Sequence, residues 1–134
     1  MVYSARCGEV ADVQEMIEVT GPPVDLNYRD STMCMNTALH MASANGHTEI
    51  VKLLLKQTGI LSDLANDTGN TALHYAALNG KIDVVELLIA HKASANIKNE
   101  FGRLPLEDAL QAGHAEIAEV LAPVSTLEDD KVYS

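Results

Sequence analysis

The chain has no tryptophan and one phenylalanine among 134 residues, so no large aromatic cluster can build its interior. Leucine, isoleucine, valine, alanine and methionine must do so, which suits thin, regular packing better than a single bulky core. Cysteine is nearly absent as well. Cys7 and Cys34 do not lie in a C-x-x-C and could pair only by chance of geometry, so free thiols in a reducing compartment are expected. No run approaches the ~18 apolar residues of a membrane span. The opening Met1-Val2-Tyr3-Ser4 has neither the basic nor the apolar region of a signal peptide. Basic residues are scarce: 9 against 19 acidic ones, net charge −10. Such a surface repels phosphate backbones, so nucleic acid is not an expected partner, and it steers cationic proteins inward. Charge alone also fits a purely solubilising role.

What is present is a repeat. Asn36-Thr-Ala-Leu-His40-Met-Ala-Ser-Ala-Asn45-Gly46 recurs as Asn70-Thr-Ala-Leu-His74-Tyr-Ala-Ala-Leu-Asn79-Gly80, 34 residues later. A weaker copy, Gly102-Arg-Leu-Pro105-Leu-Glu107-Asp-Ala109, follows 33 residues on and ends at Gly113. After each closing glycine, apolar residues fall at three- and four-residue steps: Val51, Leu54 and Leu55, then Val85, Leu88 and Ile89. That spacing gives one helical face and a second helix per unit. Gly8, followed by Val13, Met16 and Ile17, extends the frame towards the start, with a longer linker through Gly21-Pro22-Pro23. Thr37 and Thr71 stand where a hydroxyl can cap a first helical turn, and Pro105 takes the first-turn slot in the third copy. Gly69 and Gly102 mark tight turns between units. Each helix is short enough to be marginal alone, so stacking must supply stability.

A period near 33 with this T-A-L-H block resembles the ankyrin-repeat family across about residues 3 to 122. The resemblance implies an all-α solenoid of about four units, stacked antiparallel helix pairs with β-turn fingers. The units are expected at about 3–30 (a cap), 31–66, 67–99 and 100–122, with an acidic, disordered tail over 123–134. In the last unit Leu104 replaces Thr and Glu107 replaces His. Glu107, Asp108, Glu116 and Glu119 are expected to form a polar outer face there.

The same resemblance implies a binding surface rather than a catalytic pocket. Carried over by position, contacts are expected at Met33, Cys34 and Asn36 in the first finger, Asp67, Thr68 and Asn70 in the next, and Glu100, Phe101 and Arg103 in the last. On the inner helices the matching positions are Met41, Ala44, Asn45, Tyr75, Leu78, Asn79 and Gln111. Phe101 is the candidate anchor, because a lone aromatic in a turn is poorly explained by core packing.

Catalytic and metal motifs are missing. There is no G-x-S-x-G, no phosphate loop and no H-E-x-x-H. His40 and His74 belong to the repeat, and His47, His91 and His114 lack partners at ligand spacing, so no metal, cofactor or enzymatic activity is expected. Within the family, the blocks at 36–47 and 68–85, with Ser4-Ala-Arg-Cys-Gly-Glu-Val10 and Asn99-Glu-Phe-Gly102, are similar to fungal ankyrin-repeat chaperones dedicated to a basic ribosomal protein of the small subunit. That likeness implies a protein that shields its client before assembly; a monomer is expected, in the cytoplasm with the nucleus as a second compartment. A generic adaptor for signalling or transcription proteins, or a regulatory segment of a larger enzyme or channel, fits the same repeats.

Overall fold

The computed structural model describes residues 27, 29, 35–57 and 60–125. Apart from residues 27 and 29, the expected first unit (3–30) lies outside the described residues, as do Met33, Cys34 and most of the acidic tail. Among the described residues six helices form three pairs: α1 (Ala38–Ala44) with α2 (Thr48–Leu55), α3 (Ala72–Leu78) with α4 (Ile82–Ala90), and α5 (Pro105–Ala112) with α6 (Ala115–Leu121). A single 3-10 turn, Ala122–Val124, follows α6. No strand occurs among the described residues. The fold is an all-α solenoid.

Each inner helix starts for a local reason. Thr37 sits in extended backbone before α1, and its hydroxyl accepts the His40 N–H, as Thr71 does for His74 before α3. The rest of the arrangement comes from stacking. α1, α3 and α5 lie side by side in one row and α2, α4 and α6 in a second, each pair packed on the next. Ala42, Ala76 and Ala109 are fully buried, and their small size lets the two rows approach. Ile50, Val51 and Leu54, then Val84, Val85 and Leu88, then Ile117 and Leu121 supply the outer row's share of one continuous core. Helices of seven to nine residues would not persist alone; burial between neighbours holds them.

The last unit corrects one expectation. Asp108 is buried, and Glu107 is half-buried with Oε1 accepting the Leu104 N–H at 3.0 Å. Glu107 therefore keeps one part of the threonine–histidine cap that Leu104 and Glu107 replace. Glu116 and Glu119 are exposed, but so are Asp83 and Glu86 at the matching places of the preceding unit. They belong to the back of the stack, not to a polar end.

Between units the chain makes tight fingers. Asn66 N–H donates to the Asn70 carbonyl at 2.9 Å and Gly69 N–H to the Asn66 carbonyl at 3.1 Å; Asn99, Gly102 and Arg103 repeat this at 3.0 and 2.9 Å. Glu100 N–H donates to the Thr68 carbonyl at 3.0 Å, tying one finger to the next. Gly69 has φ +76°, and a Cβ built there would lie 2.9 Å from the Glu100 amide nitrogen. Gly102 has φ +73° with open space around it. Gly69→Ala is therefore expected to cost about 2 kcal/mol or more, left-handed strain plus a backbone collision, whereas Gly102→Ala should cost about 1 kcal/mol from strain alone. Urea unfolding of the two variants measures the difference; equal losses would contradict the close contact between fingers.

Candidate protein-docking surface

The histidine of each repeat holds its unit to the following one. His40 Nδ1 receives the Thr37 amide N–H at 3.1 Å and lies 2.8 Å from the Thr37 hydroxyl. Its Nε2 lies 2.9 Å from the Asn70 carbonyl oxygen in the next unit. An amide can only donate and a carbonyl can only accept, so the ring is neutral with its proton on Nε2. His74 repeats the pattern, with Thr71 behind it and the Arg103 carbonyl ahead at 3.0 Å. Burial lowers the His40 pKa to about 4, opposed in part by its bond to Asn70. Burial also lowers the His74 pKa, and Arg103's carbonyl and the Asp108 charge work against that shift. Among the described residues no group of three or more His, Cys, Asp or Glu could hold a metal ion.

A second network runs through the finger bases. Asn66 Oδ1 accepts the N–H groups of Thr68 and Asn70 at 3.0 and 2.9 Å, closing its finger. Its Nδ2 donates to Asn36 Oδ1 in the preceding finger at 2.8 Å and to the Tyr75 hydroxyl at 2.7 Å. One period later Asn99 accepts from Phe101 and Arg103 and donates to Asn70 Oδ1 at 3.0 Å and Asp108 Oδ2 at 3.1 Å. Asp108 thus stands in the place of Tyr75. Burial pushes its carboxyl pKa up, while His74 and Arg103, the latter's Nη1 3.8 Å away, pull it down. Sequence reasoning missed Asn66 and Asn99 as network centres. Their 33-residue separation, the period of the repeat, was the available signal.

These networks sort the sequence-derived contact positions. Asn36 is buried, and Asn70, Thr68 and Tyr75 are half-buried with their polar groups occupied by the ladder. The Tyr75 ring also meets His40 edge-on at 5.9 Å. Met41 and Ala44 are half-buried on α1. Asn45, Leu78, Asn79 and Gln111 are exposed along the inner row. Asn79 Nδ2 still reaches the Ala44 carbonyl at 3.0 Å, and Asn45 Nδ2 its own turn at Met41. At the finger tips Asp67 and Glu100 occupy equivalent places and both face solvent. Phe101 is 66% exposed, and the half-buried Arg103 guanidinium lies 5.6 Å from its ring centroid, a cation–π distance. The fingers and inner row therefore carry carboxylates at the tips, one bare aromatic ring, and Leu78 with amides beside it.

Stacked helix pairs, a cross-unit histidine and finger turns of this kind define an ankyrin array, a class that mediates protein–protein binding. The chain belongs to the ankyrin-repeat family: the family model for ankyrin repeats (3 copies) matches residues 1–99 and 60–129. Among curated proteins it is 34% identical over 100 residues to the glycerophosphocholine phosphodiesterase GDE1 of Candida albicans, covering 75% of this chain. It is 48% identical over 121 residues to the mitochondrial liver-isoform glutaminase of Rattus norvegicus, covering 90% of this chain. The chain spans only 9% and 14% of those two proteins. Among solved structures it resembles a chain in the crystal structure of the yeast ribosomal protein Rps3 in complex with its chaperone Yar1. The TM-score is 0.84 at 33% identity, over 91% of this chain and 88% of that one.

Proposed function

We propose that this chain is a non-enzymatic chaperone for a basic ribosomal protein of the small subunit, shielding it until assembly. The observation that carries the reading is the similarity, over most of both chains, to a chain of the Rps3–Yar1 complex. Net charge −10, with Asp67 and Glu100 repeated at the finger tips, supports a basic client over a neutral one. The client lies along the fingers and inner row, with Phe101 inserted into it and Leu78, Asn79 and Gln111 beside it. The chain works as a monomer in the cytoplasm, with the nucleus its second site of action, through units at about 3–30, 31–66, 67–99 and 100–122. The reactions of the phosphodiesterase and the glutaminase are not carried over. A general adaptor function is the second reading, favoured by the matches to short parts of much larger proteins.

Light scattering of purified Rps3, warmed with and without an equal amount of the chain, tests the proposal. Suppressed aggregation is expected, and unchanged aggregation would reject it. Phe101→Ala is expected to weaken Rps3 binding by about 2 kcal/mol while the melting temperature barely moves, since the ring is exposed. Intact affinity in a titration calorimeter would remove Phe101 from the interface.

A further inference from the structure

The end of the stack is built like an inner face. Ser43 and Ala77, at matching places on α1 and α3, are both 0% exposed; the matching residue on α5 is Leu110, 58% exposed. This position looks towards the next unit and, on α5, meets none among the described residues. On the outer row Ile82 and Ile89 are half-buried, while their counterparts Ala115 and Ala122 are exposed. Among the described residues this face is thus apolar at Leu110, Ala115 and Ala122, whereas the capping unit of a repeat array usually turns a polar face outward.

Its charge says what suits it. His40 and His74 each place Nε2 against a carbonyl of the following unit. Glu107 holds that place on α5, one helical turn from Leu110, and a carboxylate there cannot donate to a carbonyl. Another unit of the same kind would set two acceptors face to face. A second copy stacked end to end would set Glu107 near its own counterpart, between chains of net charge −10 each. Residues 126–134 carry Glu128, Asp129 and Asp130 against the single Lys131, a net negative segment and so the less suited one for the same reason. Arg103, the last unit's arginine, already faces Asp108 and the Phe101 ring.

We propose that the exposed end of the stack, Leu110 beside Glu107 with Ala115 and Ala122, is a second docking surface, and that a basic amphipathic segment of the client covers it. The inference rests on the chaperone reading. The client would bridge two faces, the fingers and the stack end, with apolar residues on Leu110 and a Lys or Arg on Glu107.

Purified Rps3 serves as the probe, titrated against the full chain and three variants, with melting curves and sedimentation on each. Leu110→Glu is expected to weaken binding about tenfold or more. Glu107→Gln, which keeps an oxygen for the Leu104 N–H, is expected to weaken binding less and to flatten its salt dependence. Both should melt like the parent. Full affinity in Leu110→Glu while Phe101→Ala is weakened would overturn the second surface and leave the chaperone reading standing. A parent chain that self-associates through Leu110 would overturn the choice of occupant. No affinity of the parent for Rps3 would overturn both, a failure visible before any variant is made.

Discussion

His40→Ala is expected to destabilise the stack by on the order of 3 kcal/mol, more than any surface substitution in the molecule. The side chain is 1% exposed, so truncation leaves a cavity. It also strips the buried Thr37 amide of its partner and leaves the half-buried Asn70 carbonyl with the Asn66 N–H alone. Because the lost bond joins two units, the damage falls on their interface. Urea unfolding should show an earlier midpoint and a less cooperative transition. A loss below about 1 kcal/mol with unchanged cooperativity would mean that the histidine decorates the helix and does not couple the units.

Acid is expected to unfold the protein through the same residues. In the unfolded chain His40 takes a proton near 6.5; in the stack burial holds it to about 4. Above pH 6.5 both states are neutral there and nothing is at stake. As pH falls from 6.5 towards 4 the unfolded chain gains a proton that the folded one refuses, so stability drops. For His40 alone the loss is on the order of 3 kcal/mol by pH 4. His74 is shifted in the same direction and adds to it. Asp108 works the other way: its raised pKa favours the folded form once it protonates, which partly offsets the loss at the acid end. Guanidinium midpoints measured from pH 7.5 to 4 should fall steeply below about pH 6.5 and should fall less in a His40→Gln variant. A flat profile would contradict the neutral, buried tautomer.

Much of this fold was legible in the order of residues. The recurrence of Thr37 and His40 at Thr71 and His74 fixes where helices begin, and it sets which unit touches which. The small Ala42, Ala76 and Ala109 mark the contact between rows. What could not be read was the division of labour among polar residues in the fingers. Asn36, Asn70, Thr68 and Tyr75 occupy positions expected to contact a partner, yet here they bond to Asn66 and Asn99. A side chain that completes a ladder and one that awaits a partner look alike until their neighbours are placed. The last unit hides its roles for the same reason. Glu107 and Asp108 read as solvated acids, but one caps α5 and the other closes the Asn99 network. Reversing their charge would damage the fold itself. Asp67 and Glu100, exposed at equivalent finger tips, are the places where charge can be reversed without that cost.

The most direct test is therefore the affinity for Rps3 of the double variant Asp67→Lys, Glu100→Lys beside the parent chain, titrated at low and high salt. If carboxylates on the fingers hold a cationic client, parent affinity falls steeply with salt. The variant should bind much more weakly at low salt and lose its salt dependence, with its melting temperature unchanged. Equal affinities at every salt concentration would contradict an acidic docking face.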